Sequence, residues 1–453
     1  MMSPNTLGAI RFGAGLSPDH ALPADASALW DSLGREAGAS DYAVTPWATR
    51  MMRAHERHRT RRARRDSDDP RLQDALREIN VEDRNSSFAD LQACLARLAY
   101  ARTGMFERLT RFWSNHFAAQ PKGGVFRDGR VAYAEEALRP HVMGTFSQML
   151  QSAILHPVML SYLDQNSSFG PQSRAGRRRG RGLNENLARE LLELHTLGVS
   201  GGYSQDDVTQ LARLLTGLTY SLDEGFHFQP RIAEPGIIEI FGKRYGGRPV
   251  TLDHIVEALD DLALRRETAQ HLAFKLAHHF VSDTPDPQLV AHMAASYQQT
   301  GGDLPSLYRA MLEHPGAWDG PLSKTRAPME MMAASLRALS VDPQLLLNLR
   351  PREIRLFLLR PLVLMGEPHE SVPSPAGYGD DAAYWITPQG LAARVDWAMG
   401  LSQLVPGEID PRDFVDIALQ DAASDALRRA SAGAETRVQG VGLILASPDF
   451  NRR

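Results

Sequence analysis

Cysteine is nearly missing from this chain: Cys94 is the only one, set in the apolar-rich run from Leu91 to Tyr100. No intrachain disulfide and no cysteine-based zinc or iron–sulfur centre can therefore form. Long apolar runs are missing too. None approaches the roughly 18 residues a membrane span needs, so a soluble protein is expected. Met1 to Leu16 carries only Arg11 and is broken at Pro4, Gly8, Gly13 and Gly15. That is not the basic start and apolar core of a secretion signal, and a cytoplasmic location is the expectation. An excess of one charge is absent as well: 50 Lys and Arg against 54 Asp and Glu leave −4 over 453 residues. So small a charge gives no general attraction to nucleic acid or anionic lipid. Finally, the chain contains no His-Glu-x-x-His, no Walker loop and no full dinucleotide fingerprint.

What is present reads as a helical protein with an ample core. Hydrophobic residues make up 43% and charged residues 23% of the chain, which is ordinary globular usage. Phe106, Leu109, Trp113 and Phe117 recur at helical spacing, as do Leu138, Val142, Phe146, Met149 and Ile154. Further helical patterns run from His254 to the C-terminal region. The alternation in Phe226 to Pro230 and the β-branched run Ile237 to Phe241 predict one small β-hairpin near residues 226–242. The predicted class is all-α, one large multi-helical unit spanning residues 1–453, with that minor β element. His156-Pro157, His314-Pro315 and Ser447-Pro448 repeat one device, a proline that ends one helix or begins the next behind a side chain placed to cap backbone groups.

Two arginine-rich stretches stand out. Arg50 to Arg65 is followed by Asp66, Asp68 and Asp69 and has no interleaved aromatics, so a solvated helix end with compensating charge is preferred to a nucleic-acid contact. Residues 168–182 hold Arg174, Arg177, Arg178, Arg179 and Arg181 among glycines, the composition of an exposed basic loop.

That loop leads into the most informative segment, Asn184 to Val199. On a helical wheel Glu185, Asn186, Arg189, Glu190 and Glu193 fall on one side, and Leu187, Ala188, Leu191 and Leu194 on the other. His195 points among the apolar residues. Two readings stand side by side: a core histidine bonded to a carbonyl, or a metal ligand. His116 lies on the apolar stripe of its own helix, so His116, His195 and Glu185 are the candidate ligands for a divalent metal. Glu190, Glu193, His195 and Arg189 are the candidate acid–base residues. Glu185 and Arg189 also have the spacing of a simple helix-surface pair. Glu-x-x-His, the motif of carboxylate-bridged metal proteins, does not occur in this segment. Ser204 with Asp207 resembles a capping box opening the next helix, and His278 with His279 reads as a helix-end pair.

The run Gly182-Leu183-Asn184-Glu185-Asn186-Leu187-Ala188-Arg189-Glu190-Leu191-Leu192-Glu193-Leu194-His195-Thr196-Leu197-Gly198-Val199, followed by Gly201-Gly202-Tyr203-Ser204, resembles the signature of the bacterial domain-of-unknown-function family 1800. Arg11-Phe12-Gly13, Phe112-Trp113, Asn115-His116-Phe117, His156-Pro157, Lys275-Leu276-Ala277 and Ala446-Ser447-Pro448 extend the likeness over nearly the whole chain. The resemblance implies one elongated helical unit and marks Asn115, Asn184, Asn186 and Tyr203 as signature residues. It also implies a partner from family 1501, which is similar to alkaline phosphatases and sulfatases and often carries a twin-arginine signal. Co-export to the periplasm with such a partner is the alternative to a cytoplasmic location. Where relatives commonly have a histidine before an acidic residue in the hairpin, this chain has Ala233 before Glu234. Two functions are expected from these observations. One is an enzyme with Glu/His acid–base chemistry, with or without a divalent metal, in a pocket between helices. The other is a non-catalytic protein binding the family 1501 partner, with nucleic-acid binding ranked last.

Overall fold

In a computed structural model of the protein, residues 2–37, 41–67, 69–120, 126, 128–179, 182–404 and 409–453 are described. Asp68, Arg181 and the side chain of Arg179 lie outside them. The described chain is mostly helical. The helices that matter for the site are α1 (Trp47–Arg65), α2 (Pro70–Tyr100), α3 (Met105–His116), α4 (Arg130–Tyr133), α5 (Arg174–Arg179), α6 (Asn186–Glu190), α7 (Gln205–Leu214), α8 (Arg266–Phe280) and α9 (Pro328–Ala338). Among the described residues no helix is long and apolar enough to cross a membrane.

Hydrophobic burial divides into two large clusters. One gathers Phe106, Leu109, Trp113, Phe146, Leu191, Leu211, Leu272 and Tyr308 from α3, α6–α8 and their neighbours. The other gathers Leu91, Leu95, Met331, Leu336, Trp397 and Ile444 around the C-terminal half of α2 and α9. The seam between them is polar, because α3 turns two faces to two different surroundings. Its positions 105, 109, 112, 113 and 116 are buried in the first cluster, while Glu107, Thr110, Arg111 and Ser114, spaced i, i+3, i+4 and i+7, share the other side.

The caps predicted from sequence are in place. Ser204 Oγ accepts from the Asp207 backbone N–H at 3.1 Å while Asp207 accepts from the Ser204 N–H at 2.8 Å. Ahead of each proline the capping atom is a side chain: His156 Nδ1 accepts from Val158 N–H, His314 Nδ1 from Gly316 N–H and Ser447 Oγ from Phe450 N–H.

The β element differs from the prediction. Instead of one hairpin there are two, β1 (Leu218–Ser221) with β2 (Gly225–Phe228) and β3 (Gly236–Ile240) with β4 (Lys243–Gly247), both antiparallel. The two predicted strands exist, as β2 and β3, but each pairs with its immediate sequence neighbour. Local turns decide this: Phe241 and Gly242 both have positive φ, 51° and 76°, the geometry of a tight two-residue hairpin turn. β4 escaped notice because Lys243-Arg244 carries no apolar alternation.

Both arginine-rich stretches are more ordered than their composition suggested. Arg50 is buried against Asp90 at 2.6 Å, Arg57 pairs with the buried Asp83, and Arg53 reaches Glu82 at 3.5 Å, so one side of α1 is fastened to α2 by ion pairs. Only the stretch from Arg59 onward has the solvated character expected. Residues 168–179 contain α5 and are pinned from below, with Phe169, Ser173 and Gly176 buried. Buried Glu234 is the pin: it accepts from the Gln172 N–H at 2.8 Å and pairs with Arg213 at 2.8 Å. Gly170 passes so close that a β-carbon there would lie 2.6 Å from the Glu234 backbone. The acidic residue beside Ala233 thus holds this segment in place.

Candidate functional site

The signature helix runs as α6 and then tightens into a π-helical turn over Leu191–His195. Thr196 ends it by donating to the Leu191 carbonyl at 2.7 Å, and Gly198 follows at φ +81°. Only glycine fits there, since a β-carbon would also lie 2.7 Å from His271 Nδ1. The polar face forms a lock onto α7. Glu185 accepts from Gln205 at 3.0 Å and Thr209 at 2.7 Å, and Arg189 lies 3.4 Å from both Glu185 and Glu193. Burial, and after it the Glu193 charge, raise the Tyr203 hydroxyl. Glu190 is pushed up by burial and by Glu193 beside it. Asn184 donates to the carbonyls of Leu163 and Asp164 and accepts from the Asn186 N–H, closing the start of the helix, while Asn186 itself is exposed.

His195 points the opposite way and is fully buried. Its Nδ1 bonds the His116 carbonyl at 2.9 Å, and His116 Nε2 bonds the His195 carbonyl at 3.1 Å. Both rings are held neutral, lowered first by burial and then by the Lys275 charge. His271 completes the cluster, bonding the Leu194 carbonyl at 3.1 Å. Of the two readings open at the sequence level, the geometry is that of the core histidine bonded to a carbonyl. Glu185 does not join the histidines. Among the described residues the one group of three or more candidate ligands with donor atoms within 4.8 Å of one another is His278, Asp283 and Asp381. That group already has a cation, because Lys324 Nζ binds Asp283.

A cavity of about 120 Å³ lies elsewhere, at the polar seam between the two hydrophobic clusters. It is lined from α3 by Arg111, Ser114 and Asn115, from α4 by Arg130, from α8 by His279, from α9 by Glu330, from the 367–385 segment by Glu367, His369, Tyr378 and Asp380, and by the C-terminal Arg453. Of the signature residues, Asn115 is the one that lines it, and its side chain fixes the 367–385 segment by donating to Tyr378 O at 3.0 Å and accepting from Tyr378 N–H at 2.8 Å. None of Arg189, Glu190, Glu193 and His195 lines this cavity.

Its electrostatics are tightly arranged. Glu330 is shared by Arg453 at 2.9 Å and Arg108 at 3.4 Å. Burial opposes its ionisation, but these two arginines hold it well below the usual carboxylate range. Arg111 binds Glu367, whose other oxygen accepts from Met329 N–H at 2.8 Å. His279 is not a plain helix-end residue as its position suggested. Its Nδ1 is 2.7 Å from Asp380 Oδ1, while its Nε2 is buried with no hydrogen-bond partner among the described residues. Burial lowers His279 to about 4, against the pull of Asp380, so the ring is neutral at pH 7. The proton then lies on Nδ1, donated to Asp380, and Nε2 carries a lone pair. His369 is likewise lowered to about 4 by burial and by Arg130, with Nε2 unbonded. The Cys94 thiol, pushed up to about 12 by burial, is no thiolate.

A match to the family model described as "Protein of unknown function (DUF1800)" covers residues 10–452. The chain belongs to this family. Neither the comparison with curated proteins nor that with solved structures returned a match. Membership therefore supports the sequence resemblance and brings no activity with it.

Sequence reasoning missed His279, Asp380, Glu330 and Arg453 as a group because they come from four distant segments. One signal was readable: the polar stripe 107, 110, 111 and 114 on the far side of α3 from its apolar face.

Proposed function

We propose that the polar cavity is the active site of an acid–base enzyme acting on a small substrate, with His279 Nε2 as the group that takes and returns the proton. The observation carrying this reading is the state of His279, a residue of the cavity wall: Nδ1 is fixed by Asp380, and the buried Nε2 has no hydrogen-bond partner among the described residues. A carboxylate on Nδ1 sets the tautomer and steadies the imidazolium that forms when Nε2 accepts a proton. Arg111 and Arg453 hold Glu367 and Glu330 in place, so the surroundings of the histidine do not reorganise as charge develops. The two hydrophobic clusters then act as one functional unit, since the cavity draws its lining from both.

The Glu185–Arg189–Glu193 network is, in this reading, a structural lock between α6 and α7 that fixes His195 and, through His271, the N-terminal part of α8. A partner of the family 1501 type and export with it remain compatible with the basic surface of α5, whose Arg174, Arg177 and Arg178 are exposed.

The test is turnover of a panel of small esters, phosphate esters and 2-substituted carboxylic acids by the full chain, alongside His279→Gln and Asp380→Asn. A turnover that falls about 100-fold or more in His279→Gln, with the far-ultraviolet circular dichroism unchanged, supports the assignment. Turnover that survives in both variants sinks it.

A further inference from the structure

Of the five arginines that line the cavity, four pair with a lining carboxylate. Arg97 binds Glu135 at 2.6 Å and Arg139 binds Glu107 at 2.6 Å. Arg111 has Glu367, and Arg453 has Glu330. His279 takes Asp380, the last of the lining carboxylates. Arg130 remains. This residue lines the same cavity, no carboxylate of the described residues lies within 4.0 Å of its guanidinium, and its Nε is buried without a hydrogen-bond partner. Glu370 feels the Arg130 charge, and its oxygens accept from the backbone N–H groups of Arg130 at 2.7 Å and Val131 at 3.3 Å.

A guanidinium left over in a lined cavity is costly unless something pairs with it, and its planar fork suits two oxygens of one anion. The cavity has room for several water-sized groups, enough for a carboxylate or phosphate on a short carbon skeleton. We infer that Arg130 is an oxyanion receptor, and that the molecule bound in the cavity carries a carboxylate or phosphate which pairs with its guanidinium. This deepens the acid–base reading, because it supplies the anchor that holds a substrate in the space His279 faces. Asp380, His279 and Arg130 would then divide the work, with the first two handling the proton and the third the charge of the substrate.

The experiment is calorimetric titration of the full chain with inorganic phosphate and, separately, with acetate, at fixed ionic strength in chloride. Wild type, Arg130→Gln, Arg130→Lys and His279→Gln are compared. Saturable one-to-one binding of at least one anion is expected in wild type. Arg130→Gln weakens it about tenfold or more, Arg130→Lys weakens it less, and His279→Gln keeps it within about threefold. Which anion binds tells carboxylate from phosphate substrates. Equal affinity in wild type and in a folded Arg130→Gln overturns the inference, as does no saturation by either anion up to about 50 mM. The two readings fail separately. Loss of anion binding in Arg130→Gln together with turnover untouched in His279→Gln removes the acid–base role and leaves the receptor, and the opposite pattern does the reverse.

Discussion

His116 and His195 bond each other's backbone: His116 Nε2 meets the His195 carbonyl at 3.1 Å, and His195 Nδ1 meets the His116 carbonyl at 2.9 Å. The pair is a two-bonded clasp between α3 and the π-helical turn that ends the signature helix. Because each ring donates, each tautomer is fixed, and the two hydrogen bonds hold the helices in register. Replacing His195 by Phe keeps the ring volume but leaves the His116 carbonyl unpaired. The expected cost is about 1–3 kcal/mol, read from the urea midpoint. A double-mutant cycle with His116→Phe should show coupling of about 0.5–3 kcal/mol, and simple additivity would contradict the clasp.

Acid should unfold this protein early. His156 and His195 are lowered to about 3, and His271, His279 and His369 to about 4, in each case chiefly by burial. In the unfolded chain these rings take up protons near pH 6.5, whereas the folded chain refuses them until near pH 4. Stability is therefore complete above pH 6.5 and falls as the pH drops towards 4, by up to about 1.4 kcal/mol per pH unit for each histidine. Scanning calorimetry from pH 7.5 to pH 4.5 should show Tm flat at the upper end and then falling steeply. A Tm that holds to pH 5 would mean that these histidines are not buried neutral.

Glu330 should be the least replaceable carboxylate in the protein. It is buried between Arg108 and Arg453, and Arg108 also donates to the carbonyls of Arg11 and Gly13. Glu330→Gln removes the charge and strands two buried guanidinium groups, at an expected cost of about 3–5 kcal/mol in chemical denaturation. Glu193→Gln, on the part-exposed face of the signature helix, should cost about 1 kcal/mol or less. Equal effects of the two would contradict the burial argument.

The last residue of the chain is part of the same site. Arg453 exchanges backbone hydrogen bonds with Lys324, at 2.8 and 3.1 Å, and donates from its side chain to the His279 carbonyl at 2.9 Å. Arg453→Ala should destabilise by about 2–4 kcal/mol and shift the His279 imidazole resonances, because it leaves Glu330 to Arg108 alone and removes a contact to the helix carrying that ring. A silent substitution in both readouts would place the C-terminus outside the site.

The fold was legible where one periodicity ruled a segment. The α3 stripe, the capping box at Ser204 and the proline caps at 156, 314 and 447 all followed from local chemistry, and the structure has them. The two hairpins were misread because pairing was set by turns, at Gly225 and at Phe241-Gly242, rather than by the alternation of the strands. His195 could be placed in the core from the wheel alone, but its partner could not, since His116 lies 79 residues away. The cavity was harder still. His279 sits beside His278 in sequence, yet only the fold carries Asp380 to its Nδ1 across 101 residues. Arg453 could be recognised only once the chain end was seen threaded back to Lys324.

The most direct test is the nitrogen-15 shift pair of the His279 ring in the full chain at pH 7, compared with Asp380→Asn. Wild type should show a protonated Nδ1 and a bare, pyridine-type Nε2, and Asp380→Asn should disturb that pattern. A protonated Nε2 at pH 7, or a pattern indifferent to Asp380→Asn, would contradict the assignment of His279 as the base.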